Sequence, residues 1–331
     1  MTRTAAWLLS AGVLLFIGVL ASQGLPAVLA TLAVAGWGLV LVALFHLLPL
    51  VLDAAAIRVL FAGAATPAAM RDALLTRWVG ESANSLMPAG QLGGPVLMAR
   101  HLSQRGMRMQ DAAAAITVST TLQTFAQILF VLCGVALLGA QASHISQQAL
   151  RTSALLVSGL LALQVGGFYL LQRRGFFGKL MRAANRFSGK RDWSQLMSQA
   201  EAMDAAVQLT YRRNGLVAAS FVLSLIGWVV GTGEVYLIAL LLGHPLTWSA
   251  SLLLESLGQA IRGAAFAIPG ALGVQEGGYL LLAPLAGLPP DVALALSLAK
   301  RARELLLGLP GLLYLHLSER AGAGAARAAP P

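Results

Sequence analysis

The chain has 331 residues, of which 57% are hydrophobic and only 11% charged, with a mean hydropathy of +0.75. One soluble core cannot hide that much apolar side chain, so a water-soluble globular domain is excluded and a polytopic membrane protein is implied. The net charge of +10 would suit nucleic acid, but the basic residues cluster in a few loops without an aromatic-interleaved platform; loop orientation and anionic lipid account for it better.

From Thr4 to Leu52 there is no Asp, Glu, Lys or Arg. That is far longer than the ~20 residues that cross a bilayer, and it predicts two helices hinged at Ser22-Gln23-Gly24-Leu25-Pro26. A cleavable signal peptide ending at "ASQG" is the alternative, with the second apolar run still spanning. Arg58, Arg71 and Arg77 then precede "ESANSLMPAGQLGGPVLMAR" (81–100), and Arg100, Arg105 and Arg108 close it. By the positive-inside rule both flanks are cytoplasmic, so the segment is expected to leave and return on one side, a re-entrant element over about residues 78–104. Its helix breakers are Pro88, Gly90, Gly93 and Gly94, and its polar contacts Glu81, Asn84 and Gln91.

Residues 112–150 predict one span and an external turn, "QASHISQQ", and 152–172 the return span. The lone Cys133 lies in this apolar run, so neither a disulfide framework nor a thiolate metal site arises within one chain. Between Arg173 and Arg213 lies a basic cytoplasmic loop. In it Trp193, Leu196, Met197, Ala200, Met203 and Val207 recur at helical spacing against a face carrying Gln195, Gln199 and Asp204. This describes a helix on the inner leaflet or one packed on its own protein. A further span over 214–243 holds Glu234, whose position inside apolar sequence points inward or to a helix end.

A second irregular stretch, "ESLGQAIRGAAFAIPGALGVQEGGYLLLAPLAGLPPD" (255–291), echoes the first: a Glu-Ser pair, an amide, then a proline-glycine break at Pro269, Gly270 and Gly273. It predicts a second re-entrant element over about residues 249–276, inverted relative to the first, with both facing a shared site at mid-depth. Tight interhelical elbows are the plainer alternative. Arg262 lies seven residues beyond Glu255 and near the same helix face, so the two could offset one another, and Glu276 adds a third acid. In "ALALSLAKRARELLLGLPGLLYLHL", Lys300 and Glu304 are spaced to pair, leaving Arg301 and Arg303 in excess. If 291–317 is one span, these charges face inward toward Glu234, Glu255 and Glu276; if it is broken, they anchor at the interface.

No catalytic set emerges. His46, His101, His144, His244 and His316 form no HExxH-type pair, the glycines of "PAGQLGG" lack the Gly-Lys-Ser/Thr of a phosphate loop, and no nucleophile accompanies the carboxylates. The expectation is therefore a non-enzyme with no catalytic residues, no metal and no cofactor.

"GESANSLMPAGQLGGPVLMARHLSQRG", "ESLGQAIRGAAFAIPGALGVQEGGY" and "LAKRARELLLGLPGLLY" together resemble the hopanoid-biosynthesis-associated membrane proteins of the HpnL family. That family falls within the larger lysylphosphatidylglycerol synthase transmembrane, flippase-like superfamily. The resemblance covers nearly the whole chain. It implies an all-helical membrane domain with re-entrant helices that moves lipid between leaflets. By motif position, Glu81, Asn84, Pro88, Gly93, Gly94 and Arg100 would belong to the first broken element, and Glu255, Arg262, Pro269, Gly270, Gly273 and Glu276 to the second. Pro95 departs from the pattern, standing where related proteins carry an acid.

The combined expectation is an all-α polytopic membrane protein of about six to eight spans with two re-entrant broken-helix elements. One membrane domain would occupy residues 1–317 and a disordered cytoplasmic tail 318–331. In a bacterial inner membrane, with N-terminus and basic loop cytoplasmic, it would translocate or present a hopanoid or another isoprenoid-derived lipid. The candidate substrate-binding residues are Glu81, Asn84, Gln91, Arg100, Glu255, Arg262, Glu276, Lys300, Arg301, Arg303 and Glu304. The competing readings are a scaffold for other lipid-biosynthesis proteins, docking through the basic loop, and, behind it, an intramembrane lipid-modifying enzyme. Nucleic acid is not expected as a partner.

Overall fold

The computed structural model describes residues 30, 33–87, 93–141, scattered positions between 152 and 179, 194–265 and 268–328. Among them the ordered elements are helical and no strand occurs, so the chain is an all-α polytopic membrane protein. The hinge at 22–26, the turn at 141–148 beyond Gln141, Pro88, Gly90 and Gln91 lie outside the described residues, as does most of the span expected over 152–172.

The helices are α1 (Gly38–Leu60), α2 (Met70–Leu86), α3 (Gly93–Gln104), α4 (Met109–Gln141), α5 (Ser194–Tyr211), α6 (Asn214–Leu241), α7 (Trp248–Ala264), α8 (Val274–Leu282) and α9 (Pro290–Ala328). Among the described residues, the helices long and apolar enough to cross a membrane are α1, α4 over Met109–Gly139, and α6. The remaining helices follow a different logic. α2 carries Arg71, Asp72, Arg77 and Glu81 within seventeen residues, too polar for lipid, and it is shielded by α1, α3 and α9.

Two helix pairs stand where irregular sequence was expected. α2 and α3 lie against each other across residues 88–92, and α7 and α8 do so across a 3₁₀ turn at Pro269–Ala271. Close helix approach depends on missing side chains. A Cβ on Gly311 of α9 would strike Ser82 of α2, and one on Gly308 would strike Leu86, so side chains of α2 seat directly on the bare backbone of α9.

α9 is continuous from Pro290 to Ala328 despite Pro310. The alternative of a break near the Lys300–Glu304 charges is thereby removed: these residues sit inside one helix, with Lys300, Arg303 and Glu304 buried. The helix also runs through residues 318–328, where a disordered tail was expected. α5 packs on α4, with Val207 and Tyr211 buried and Leu209 exposed. Asp204, assigned from the periodicity to the polar face, is instead buried and accepts the backbone N–H of Gly178 at 2.7 Å. Tyr211 donates to Gln172 at 2.8 Å, and burial pushes its phenol up to about 12.

Two apolar clusters frame the interior. One joins Val42 of α1, Val131–Leu138 of α4, Ile238 of α6, Leu253–Leu257 of α7 and Val292–Ala299 of α9. The other joins Ile57–Phe61, Met98, Leu102, the first turns of α4, Val207 and Tyr211. Val42 and Ile57 are fifteen residues apart on α1, a rise of roughly 22 Å. Between them lie His46 and Asp53, so the polar interior of the molecule sits between two dry ends.

Candidate functional site

A cavity of about 230 Å³ opens between these clusters, far above the ~10–15 Å³ that a single water needs. Its walls differ in chemistry. One wall is charged: His46 and Asp53 from α1, Arg77 and Glu81 from α2, and Glu234 from α6. Glu255 and Arg262 of α7 join Arg303 and Glu304 of α9 to continue it. The facing wall is α4, which presents Ser119, Thr120, Gln123, Thr124 and Gln127. Their spacing places them on one helical stripe, a neutral strip of hydroxyl and amide groups.

The charged run of α9 organises the first wall. At about 100° per residue, Arg303, Lys300, Glu304 and Arg301 fan over roughly 160° of the helix surface. The fan therefore reaches several helices: α2 and α6 from Arg303, α7 from Lys300 and Glu304, and α8 from Arg301. Arg303 contacts Glu81 of α2 at 3.2 Å and Glu234 of α6 at 3.1 Å. Lys300 pairs with Glu255 of α7 at 2.5 Å, and Glu304 accepts from Arg262 of α7 at 2.6 Å. Arg301 pairs with Glu276 of α8 and with Glu304, both at 2.9 Å. Lys300 and Glu304 thus do not pair with each other as their spacing suggested, and Glu255 and Arg262 do not offset one another. In both cases tertiary partners replace the local one, because inside a membrane a buried charge needs its full complement of donors and acceptors.

Glu255 also accepts from Gln259 at 2.8 Å and from the Tyr279 hydroxyl at 3.2 Å. Arg77 binds Asp53 at 2.7 Å, with Gln123 on the same oxygen at 2.7 Å. His46 bridges Glu81 through Nε2 at 2.7 Å and Glu234 through Nδ1 at 2.8 Å.

The candidate residues fall into groups. Glu81, Asn84, Glu255, Arg262, Arg303 and Glu304 line the cavity. Lys300, Arg301 and Glu276 stand behind it as their ionic partners. Glu276 also accepts the Gly273 backbone N–H at 2.7 Å, fixing the first turn of α8. Arg100 is placed elsewhere, contrary to its expected role. It is 58% exposed on α3 and pairs with Glu319 at 3.2 Å, because one helical face cannot turn both Asn84's partner Gly94 and Arg100 inward.

Among the breakers, Gly94 opens α3 with its N–H donating to Asn84 Oδ1 at 3.1 Å, and a Cβ there would strike Asn84 and the Gly80 carbonyl. Gly93 stands beside it at the start of α3, and Pro269 opens the 3₁₀ turn. Gly270 and Gly273 adopt φ of +60° and +76°, the left-handed region that glycine enters without a Cβ clash.

His46, Asp53, Arg77 and the α4 strip were absent from the candidate set, and Glu234 was noted without being placed in it. The available signals were spacings: His46 and Asp53 are seven residues apart on one face of α1, and Arg77 and Glu81 four apart on α2.

A family model described as "Lysylphosphatidylglycerol synthase TM region" matches residues 4–311. No curated protein and no solved structure matches the chain.

Proposed function

The chain belongs to the family of lysylphosphatidylglycerol synthase TM regions, and from that premise we propose that it translocates or presents a membrane lipid whose polar head enters the cavity. The family ties the chain to membrane lipids. The observation that carries the finer reading is the cavity itself: polar space between two apolar clusters, bounded by a charged wall and by the hydroxyl and amide strip of α4. A cavity of this kind is unnecessary in a protein that only braces its neighbours, and burying so many ionic groups without use would be costly.

The head taken up is a hydroxylated one. Every charge on the cavity wall already has an ionic partner within the protein, whereas the α4 strip offers both donors and acceptors to hydroxyls. A hydroxylated hopanoid or related isoprenoid-derived lipid of a bacterial inner membrane meets that description, consistent with the HpnL-like motifs.

The test is leaflet exchange in vesicles of phosphatidylethanolamine and phosphatidylglycerol carrying either a fluorescent acyl-labelled phosphatidylglycerol or a labelled polyhydroxylated hopanoid, with dithionite or an extracting acceptor added outside. Faster exchange than in empty vesicles, reduced about tenfold by Thr120→Val combined with Gln123→Leu, is the expected result. Exchange equal to empty vesicles for both lipids would sink the proposal, and preference for the phosphatidylglycerol probe would remove the hopanoid assignment.

A further inference from the structure

His46 stands between two carboxylates that come from different helices, and both of its ring nitrogens are used. Nε2 lies 2.7 Å from Glu81 Oε1 and Nδ1 lies 2.8 Å from Glu234 Oε2. An ionised carboxylate can only accept, and a neutral imidazole has a single N–H. A neutral ring would therefore turn one lone pair onto a carboxylate oxygen at hydrogen-bond distance. The arrangement is satisfied when the trio holds one additional proton, as an imidazolium donating both ways. Two carboxylates are then balanced by His46 and by Arg303, which contacts both acids.

We propose that His46, Glu81, Glu234 and Arg303 form a site for a single exchangeable proton, whose occupancy controls the tie that His46 makes between α1 and the α2–α3 hairpin, the Arg77–Asp53 pair remaining as a second, fixed tie.

The direction of exchange follows from exposure. The Glu81 side chain is 23% exposed and that of Glu234 only 3%. The proton therefore leaves from Nε2 to the cavity, while Nδ1–H stays on Glu234. A donor for the vacated lone pair is already in place, since Arg303 Nη1 is 3.3 Å from Nε2 as well as 3.2 Å from Glu81. One proton passes from Nε2 to water and no other bond is made or broken except hydrogen bonds. Glu81 loses its shortest contact, and α2 loses its link through His46 to α1 and α6.

The other charged groups around the site are accounted for. Asp53, on the same helix as His46, is held by Arg77 of α2 and Gln123 of α4. Lys300 of α9 is held by Glu255 of α7. The trio is not a metal centre: each ring nitrogen faces its own carboxylate, Arg303 donates to the same acids, and no group of metal-ligating side chains converges among the described residues. On the lipid-handling reading, on which this last step rests, release of the proton loosens the cavity edge of the hairpin at Glu81 while Arg77–Asp53 keeps its other contact with α1, so lipid movement is coupled to one proton.

The proton site is tested without any lipid substrate by ¹⁵N-histidine NMR of the full chain in phosphatidylethanolamine–phosphatidylglycerol bilayers. At pH 7 one histidine, the one lost in His46→Gln, should show two protonated ring nitrogens, and Glu81→Gln should convert it to a single tautomer. If His46→Gln does not fold, the change on Glu81→Gln still identifies the ring. A neutral His46 in the wild-type protein at pH 7, or a ring indifferent to Glu81→Gln, overturns the proposal. Coupling is read from exchange of both labelled lipids, the polyhydroxylated hopanoid and phosphatidylglycerol, under opposed pH gradients. A several-fold rate difference between gradient directions that vanishes in Glu81→Gln supports it; equal wild-type rates overturn it. Absence of exchange under any gradient would sink the lipid reading and with it the coupling, while the nitrogen spectra still decide the proton site.

Discussion

The α2–α3 hairpin and the α7–α8 hairpin both close on the same short stretch of α9, yet the acid that ties the first is partly exposed and the acids that tie the second are buried. Glu81 of the first reaches His46 and Arg303 at the edge of the cavity and is 23% exposed. Glu255 and Glu276 of the second reach Lys300 and Arg301 with side chains 5% and 0% exposed. Glu255 and Arg262 of the second hairpin also border the cavity, but the acids Glu255 and Glu276 are far less exposed than Glu81, so on the proton-coupled proposal the second hairpin is the anchor and the first is the element that changes partners. The difference teaches where in this domain a broken helix serves as support and where it serves as a moving part.

The comparison breaks most completely if the residue that ties the first hairpin to α9 and α6 is removed. Arg303→Met leaves Glu81 and Glu234 without their shared guanidinium, and uncompensated buried charge of this kind costs about 3–5 kcal/mol. Thermal unfolding in detergent should show a large loss of stability, with lipid exchange abolished. A stable variant would mean that the charge run of α9 does not hold the helices together.

Anchor and moving part are separated by one matched pair of substitutions. Glu276→Gln removes the charge that Arg301 faces and weakens the cap on Gly273, for a stability loss of about 2–3 kcal/mol. Glu81→Gln keeps an acceptor toward His46 and Arg303 at the edge of the cavity, and should cost less stability than Glu276→Gln while altering lipid exchange strongly. Equal stability losses would erase the distinction between the hairpins.

How far this was legible in the sequence differs between the two sides of the same site. The all-helical class follows from composition, and the inward-facing charges of α9 follow from their position inside an apolar run. The partners do not follow. His46 binds residues 35 and 188 positions away, and nothing local announces that a lone histidine in an apolar helix will meet two carboxylates. Arg100 shows the opposite failure. Its proximity to the glycine break suggested a shared site, but the turn of α3 carries it outward to Glu319. Local spacing likewise suggested Lys300 with Glu304, and the fold instead gave each a partner on α7, because an interior charge is governed by which helix it faces and not by its neighbour in sequence.

The breaks themselves offer a finer comparison. Gly94→Ala would press a methyl group into Asn84 and the Gly80 carbonyl, prying α3 from α2 at a cost of about 1–3 kcal/mol. Cysteine labelling at Ser85, in a chain with Cys133 replaced, should become faster as the hairpin loosens.

Gly270→Ala acts on the other hairpin through backbone and not through packing. At φ of +60° a Cβ costs about 1–2 kcal/mol, and the adjacent Ala271, already at φ of +50°, shows that the turn carries this strain once. The Cβ would also approach the Ser85 carbonyl of α2 at 3.1 Å, so the two hairpins touch at this turn. If the α7–α8 hairpin is the anchor, Gly270→Ala should lower the unfolding temperature by a few degrees and leave the pH dependence of lipid exchange as in the wild type. A changed pH dependence would show that the proton held by His46 is felt across that contact, and that both hairpins move.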